Sequence, residues 1–266
     1  MRRRIVREPQ LIVVDTRGGL GNKLKALVSA VRLSDSVAAT YPTFGALFEN
    51  EIPVVETIPA KCRVFSDWRF VLTRDDRLPD DFASVPIPER GESVLRIPVG
   101  RSIDLEYGRI PAQLREAFVA AFAKLTVRGE IERSVARVTD QWPRETIAVH
   151  VRSWDESDFR RNAFFDLERF FHAVDQRGAT PFFLSSDAAA VIDDFKRRYG
   201  SRVMTASDEN AHLSHSAFAE DEDVIVRAFV DMLCLSRGGA LIGSYLSTFT
   251  ECAWWLGGCR QEVVIL

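Results

Sequence analysis

Two hydrophobic rhythms alternate along this chain. Leu11-Ile12-Val13-Val14 is an unbroken branched run, the pattern of a strand covered on both faces. Asp15 and the glycines of Arg17-Gly18-Gly19-Leu20-Gly21-Asn22 break it. Leu24, Leu27, Val28, Ala30, Val31 and Leu33 then recur at helical spacing. Strand, glycine turn and helix make the first half of a βαβ unit. Leu114, Phe118, Ala121, Phe122 and Leu125 predict a helix, and a second over 129–141 ends at Pro143. Thr146–Arg152 predicts a strand, 153–162 a polar loop, and Phe164, Leu167, Phe170, Phe171 and Val174 a helix. Pro181–Asp187 reads as strand and turn, Ala188–Tyr199 as a helix stopped by Gly200, and Arg202–Thr205 as a short strand. After a loop over 206–221 come a helix (Asp221–Ser236), a strand (Ala240–Gly243), a helix (Thr248–Leu256) and a closing strand (Glu262–Leu266).

Such alternation predicts parallel α/β structure with right-handed crossovers. Residues 41–111 interrupt it. Eight of the eleven prolines fall there, among short strand-like pieces such as Val94–Val99. That stretch and the helices after it divide the chain into residues 1–111 and 112–266. Neither an internal repeat nor a low-complexity tract is present.

Composition narrows the classes. The 266 residues are 46% hydrophobic and 27% charged, which excludes a disordered or fibrous chain. A chain of this length buries roughly three-quarters of its unfolded surface. The net charge of −3 offers no basic field for nucleic acid. Four cysteines, none in a C-x-x-C pair or at zinc spacing, fit a reduced, cytoplasmic protein. No apolar run approaches a membrane span. Met1-Arg2-Arg3-Arg4 begins like an export signal, but the apolar run that follows stops at Asp15.

In open α/β sheets, ligands bind beyond the carboxyl ends of the strands. That rule selects four places. At the glycine turn, Gly18, Gly19 and Gly21 let backbone approach a ligand, and helix N–H groups favour an anion. The spacing is neither a Walker A loop nor G-x-G-x-x-G, and a plain tight turn explains it equally. At the strand end, His150 and Arg152 share one side of an otherwise apolar strand. A guanidinium there can grip a diphosphate in two bonds and stabilise charge developing on it. The alternative is a buried Arg152 paired with Asp155 or Asp187. The third place is the Ser185-Ser186-Asp187 turn. The fourth is Ser244–Thr250, in which Ser247-Thr248-Phe249-Thr250 opens the last helix as a cap, with room for a phosphate at the same end.

Other candidates have plainer explanations. Glu220-Asp221-Glu222-Asp223 contains a D-x-D that could hold a divalent cation, but it also starts a helix, where carboxylates are favoured. His212 and His215 lack a third ligand, His172 sits among packing residues, and Trp254-Trp255 read as core.

Taken in order, these segments resemble a family. Gly18-Gly19-Leu20-Gly21-Asn22-Lys23-Leu24 is similar to the G-G-L/F-G-N-x-L turn of the fucosyltransferase superfamily, which includes the α1,6-fucosyltransferases, the rhizobial nodulation fucosyltransferase and the protein O-fucosyltransferases. His150-Val151-Arg152 resembles its H-x-R motif, and Phe183–Asp187 its second motif. Asp231–Leu256, with Ile242-Gly243-Ser244 and Ser247–Thr250, resembles its third. The resemblance implies an α/β, GT-B-like fold: two Rossmann-like domains whose parallel sheets face a cleft. Residues 1–111 would form the acceptor-side domain and 112–266 the donor-nucleotide domain. It implies an inverting, metal-independent transfer of fucose from GDP-fucose to a glycan or small-molecule hydroxyl, with no cofactor. Arg152 would bind the diphosphate beside His150, Asp187 the guanine, and Ser247, Thr248 and Phe249 the phosphates. Gly19, Gly21 and Asn22 would approach the donor from across the cleft. Where the α1,6 branch carries a glutamate proposed as base, this chain has Arg160, Arg161 and Asn162. Asp155, ahead of Asp158, is the carboxylate preferred here as base. Two other classes fit less of the pattern: a sugar-nucleotide-binding protein without turnover, and a Rossmann-type enzyme for another nucleotide.

Overall fold

The computed structural model describes residues 11–58, 62–64, 94–97, 107, 110–155, 157–206 and 221–266. The basic tail, most of the proline-rich stretch, Pro98 and Val99, and His212, His215 and Glu220 lie outside them.

The predicted βα start is present as β1 (Leu11–Val14) and α1 (Leu20–Leu33). Two short elements follow: β2 (Val37–Ala39), just before the stretch expected to be irregular, and α2 (Thr43–Leu47), inside it. Next come β3 (Arg63–Val64), β4 (Val94–Ile97), α3 (Ala112–Phe122) and α4 (Gly129–Thr139). The second half contains β5 (Ile147–Val151), α5 (Asp158–Phe164), α6 (Leu167–Asp175), β6 (Phe182–Ser186) and α7 (Ala189–Tyr199). It ends with β7 (Val203–Met204), α8 (Glu222–Arg237), β8 (Ala240–Gly243), α9 (Thr248–Leu256) and β9 (Glu262–Ile265). The expected polar loop 153–162 is therefore partly helix. Ser157 starts it, its side chain accepting from the Arg160 backbone N–H. The D-x-D resolves toward its plain reading: Asp221 caps α8, its Oδ1 accepting from Asp223 N at 3.0 Å and Val224 N at 3.3 Å.

All pairings in the two sheets are parallel, in the orders β2-β1-β4-β3 and β7-β6-β5-β8-β9. β5 is buried along its whole length, as a central parallel strand must be. Helices fill the space between the sheets. α1 packs on β1 and against α3 and α9, while α8 packs on β5 and β6 and meets α2, α4 and α9. One apolar core runs through this layer, from Ile12 and Val14 through Leu24, Phe118 and Trp255 to Leu241. Rings lock it across the halves: Phe48 on Phe229 at 5.4 Å and Phe118 on Trp255 at 5.1 Å. A second core covers the far face of the second sheet, where Phe170, Phe171 and Phe195 pack on Phe182 and Leu184.

Candidate functional site

Strand order decides where a crevice can form. The chain leaves β5 for β6 on one side, while β8 lies on the other. The loops from β5 and β8 diverge, and the gap between them is the topological switch point. His150, Arg152 and Ser244 stand at that gap.

Alternation along β5 places Val149 and Val151 in the outer core and Ala148 in the inner one, so His150 faces the inner helices. There it is buried, its Nδ1 2.7 Å from Thr250 Oγ1 and its ring stacked on Phe249 at 4.9 Å and 23°. Gly243 makes this possible, because a Cβ there would stand 2.1 Å from Thr250 Cγ2. Ser247 caps α9, accepting from the Thr250 N–H at 3.4 Å.

The Arg152 backbone N–H donates to Ser244 Oγ at 2.7 Å, which ties the β5 and β8 loops together. Its guanidinium lies 2.6 Å from Asp187 Oδ2 and packs 5.2 Å from the Trp154 ring centroid. Of the two acids weighed as partners, the structure selects Asp187. The other Asp187 oxygen accepts from the Ser153 N–H at 2.7 Å. Burial pushes the Asp187 carboxyl above its ordinary range, against the opposing pull of the Arg152 charge. Asp155 is exposed and ion-paired with Arg161.

The glycine turn reaches this site from the first sheet. Gly18 has φ +140°, where L side chains are strained, and a Cβ there would meet Asn22 Nδ2 at 2.8 Å. Gly19 begins α1 with no side-chain cap, leaving its first N–H groups without one. Gly21 presses against α9: a Cβ would lie 2.7 Å from Thr248 C and from Thr248 Oγ1. Cys252 Sγ donates to the Gly21 carbonyl at 3.4 Å. One turn along each helix, Lys25 and Glu251 form an ion pair, both side chains 3% exposed, and the Trp255 indole N–H donates to Glu251 at 3.1 Å. The N-termini of α1 and α9 therefore lie side by side. Gly21 and Thr248 are in direct apposition, Gly19 adjoins them, and the Asn22 side chain is exposed.

Several features give no readable sequence signal. Trp154 and Leu246 both have φ 58°, in the loops leaving the two central strands, a conformation costing bulky residues roughly 1–2 kcal/mol each. Asp15, at the end of β1, accepts from Thr40 Oγ1 at 2.8 Å and from Arg96 Nε at 2.7 Å, which braces the carboxyl end of the first sheet. A cavity of about 430 Å³ opens between α4 and α8, with Arg137, Arg227 and the buried Asp231 in its wall. Among the described residues, no group of three or more His, Cys, Asp or Glu could hold a metal ion, and no helix is long and apolar enough to cross a membrane.

No protein-family model matches the chain, and no curated protein matches it by sequence. Solved structures match it by shape. The α1,6-fucosyltransferase NodZ, in a crystal soaked with GDP-fucose, gives a TM-score of 0.59 at 17% identity, over 93% of this chain and 92% of that one. NodZ is a protein of Bradyrhizobium. POFUT1 in its apo form gives 0.55 at 12% identity, over 98% and 99%. A variant of Arabidopsis thaliana FUT1 in complex with GDP gives 0.57 at 13% identity, over 97% and 70%. The fold is the GT-B arrangement of two parallel sheets that these proteins share.

Proposed function

We propose that the chain is an inverting glycosyltransferase that moves fucose from GDP-fucose to a hydroxyl of a glycan or small-molecule acceptor. One observation carries the reading. The β5/β8 switch point gathers His150, Arg152, Asp187 and the α9 cap, and the α1 glycine turn closes on it from the other sheet. Solved neighbours of this fold include crystals with GDP or GDP-fucose. The division of labour follows the sheets: residues 1–111 present the acceptor and 112–266 hold the donor.

In this reading the acceptor oxygen attacks the anomeric carbon of fucose. The bond from that carbon to the β-phosphate oxygen breaks, its electron pair leaves with GDP, and the configuration inverts. Negative charge grows on the diphosphate. Arg152, with the N–H groups of α9 near Ser247, Thr248 and Phe249, supplies fixed positive potential for it, so no metal is required. Gly19, Gly21 and Asn22 border the donor from the α1 side. The Arg152–Asp187 pair implies an exchange of partners. The guanidinium turns to the diphosphate, and guanine N–H groups replace it on Asp187, so neither charge is left buried alone. His150, held by Thr250 and Phe249, forms the floor. Asp155 takes the acceptor proton once Arg161 releases it.

The test is calorimetric titration with GDP, followed by GDP release from GDP-fucose. Arg152→Ala is expected to weaken GDP binding at least tenfold and to lower turnover further, because the charge it meets grows in the transition state. Asp155→Asn is expected to lower turnover with GDP affinity intact. Full activity in Arg152→Ala would overturn the diphosphate role. The exposed Asp155–Arg161 pair favours a second reading, a sugar-nucleotide-binding protein without a base. GDP binding with no turnover on any acceptor would select it.

A further inference from the structure

The segment after β5 carries three arginines, Arg152, Arg160 and Arg161, and three acids, Asp155, Glu156 and Asp158, of which Glu156 lies outside the described residues. Arg152 is paired with Asp187, and Arg161 with Asp155. Arg160 makes no ion pair with any described residue. Instead its guanidinium packs 5.1 Å from the centroid of the Trp154 ring, the same ring that Arg152 approaches at 5.2 Å. The two guanidinium carbons are therefore no more than about 10.3 Å apart. Asp158 is two positions from Arg160 on α5, a spacing that puts side chains on different sides of a helix.

A second observation concerns the ring itself. Trp154 is 6% exposed, and its indole N–H has no hydrogen-bond partner among the described residues. The Trp142 and Trp254 indoles share that lack, but Trp154 alone of the three lies beside Arg152 and Arg160, where an acceptor atom brought by a ligand would satisfy its N–H. A cation with no ion pair among the described residues and an N–H with no partner among them thus share one indole, next to the arginine assigned to the diphosphate. An oxyanion satisfies both: guanidinium and indole N–H are donors only, and a carboxylate or phosphate accepts from both.

We infer that Arg160 and Trp154 form an anion subsite for the acceptor, so that the accepted molecule carries a carboxylate or phosphate beside the hydroxyl that is fucosylated. This rests on the transferase reading above, with Arg152 turned to the donor. Arg160, Arg161 and Asn162 stand around the place where the resemblance would put a glutamate, and Arg160 selects an acidic acceptor by charge.

Ligand-observed NMR on the full chain saturated with GDP tests it, using methyl glucuronide against methyl glucoside, and glucose 6-phosphate against glucose. Saturation with GDP keeps the acidic probes off the diphosphate site. At least one acidic probe is expected to bind tenfold or more tighter than its neutral parent, and the better of the two identifies carboxylate or phosphate. Arg160→Ala removes the preference, Arg160→Lys keeps part of it, and Trp154→Phe, which retains the ring and deletes the N–H, reduces it. Equal binding of acidic and neutral probes, absence of binding by all four, or a preference that survives Arg160→Ala overturns the subsite. GDP titration of each variant separates the two levels. A wild-type chain that does not bind GDP sinks the transferase reading, whereas normal GDP binding without an acidic preference sinks the subsite alone. A fall in GDP affinity in Arg160→Ala as large as that in Arg152→Ala also overturns it, because Arg160 would then serve the donor.

Discussion

Replacing Gly21 with alanine tests the contact on which the site depends. Both Gly21 and Gly45 lie in helices without a positive φ, so helix propensity alone favours alanine at either by up to about 1 kcal/mol. Their surroundings differ. A Cβ at Gly45 meets nothing within 4 Å, whereas one at Gly21 stands 2.7 Å from the Thr248 carbonyl carbon and 2.8 Å from its oxygen. Backbone cannot rotate away as a side chain can, so α1 and α9 must separate by roughly 0.7 Å to reach ordinary contact. Overpacking of this kind costs about 1–3 kcal/mol, and a backbone obstacle puts it in the upper part of that range. The net expectation is a loss of about 2 kcal/mol for Gly21→Ala and a gain of up to 1 kcal/mol for Gly45→Ala. For a chain of this size each kcal/mol moves Tm by roughly 2 °C. Thermal unfolding should place Gly21→Ala about 4 °C below the wild type and Gly45→Ala at or above it. Because the same shift displaces Thr248, calorimetry should show weaker GDP binding in Gly21→Ala alone. A Gly21→Ala protein that melts like the wild type and binds GDP equally would refute the claim that α1 and α9 are held at contact distance.

Lys25→Met should cost about 3–5 kcal/mol in denaturant unfolding, because it strands the Glu251 carboxylate in the core. Lys25→Met combined with Glu251→Gln, which keeps an acceptor for Trp255, should recover most of the loss; a double variant no better than the single refutes the pairing. Two aspartates should respond to pH with opposite sign. Arg198 and Tyr199 hold the Asp175 carboxyl below the ordinary 3.8, so its contribution is complete above that value and fades as pH falls through the lowered one; the stability deficit of Asp175→Asn should shrink toward acid. Burial raises Asp187, so the wild type should lose stability relative to Asp187→Asn as pH rises from 3.8 through the raised value, and a flat difference between the two unfolding curves would contradict the assignment. Burial pushes the Cys234 and Cys252 thiols far up, so a thiol reagent should modify them only after unfolding; rapid labelling of either in the native protein would count against the packing.

How far this architecture can be read before folding depends on whether an element buries a face. β1, α1, β5, β6 and α8 do, and their apolar spacing shows it. β2 is only three residues long, two of them alanine, and α2 is one turn begun by Pro42, so neither has a period to detect. α5 buries none of its residues and depends on the Ser157 cap, which is why its sequence reads as a polar loop. The site divides in the same way. His150, Arg152, Asp187 and Ser247 lie at strand ends, where the strand-end rule finds them. Their partners are set by tertiary packing: the Thr250 hydroxyl on His150, the choice of Asp187 over Asp155 for Arg152, and the contact of Gly21 with Thr248. Lys25 and Glu251 resemble surface charges in sequence, and only the meeting of α1 with α9 shows that they are buried.

The shared helical layer also limits how this chain can be divided. The chain switches sheets between β4 and β5, yet Phe118, Phe229, Trp254 and Trp255 belong to a single interior on which both sheets lean. A cut at the topological border would bare those aromatic rings on each fragment. The halves are thus two modules by wiring and one body by solvation, and a swap of either half between proteins must carry a matching seam with it.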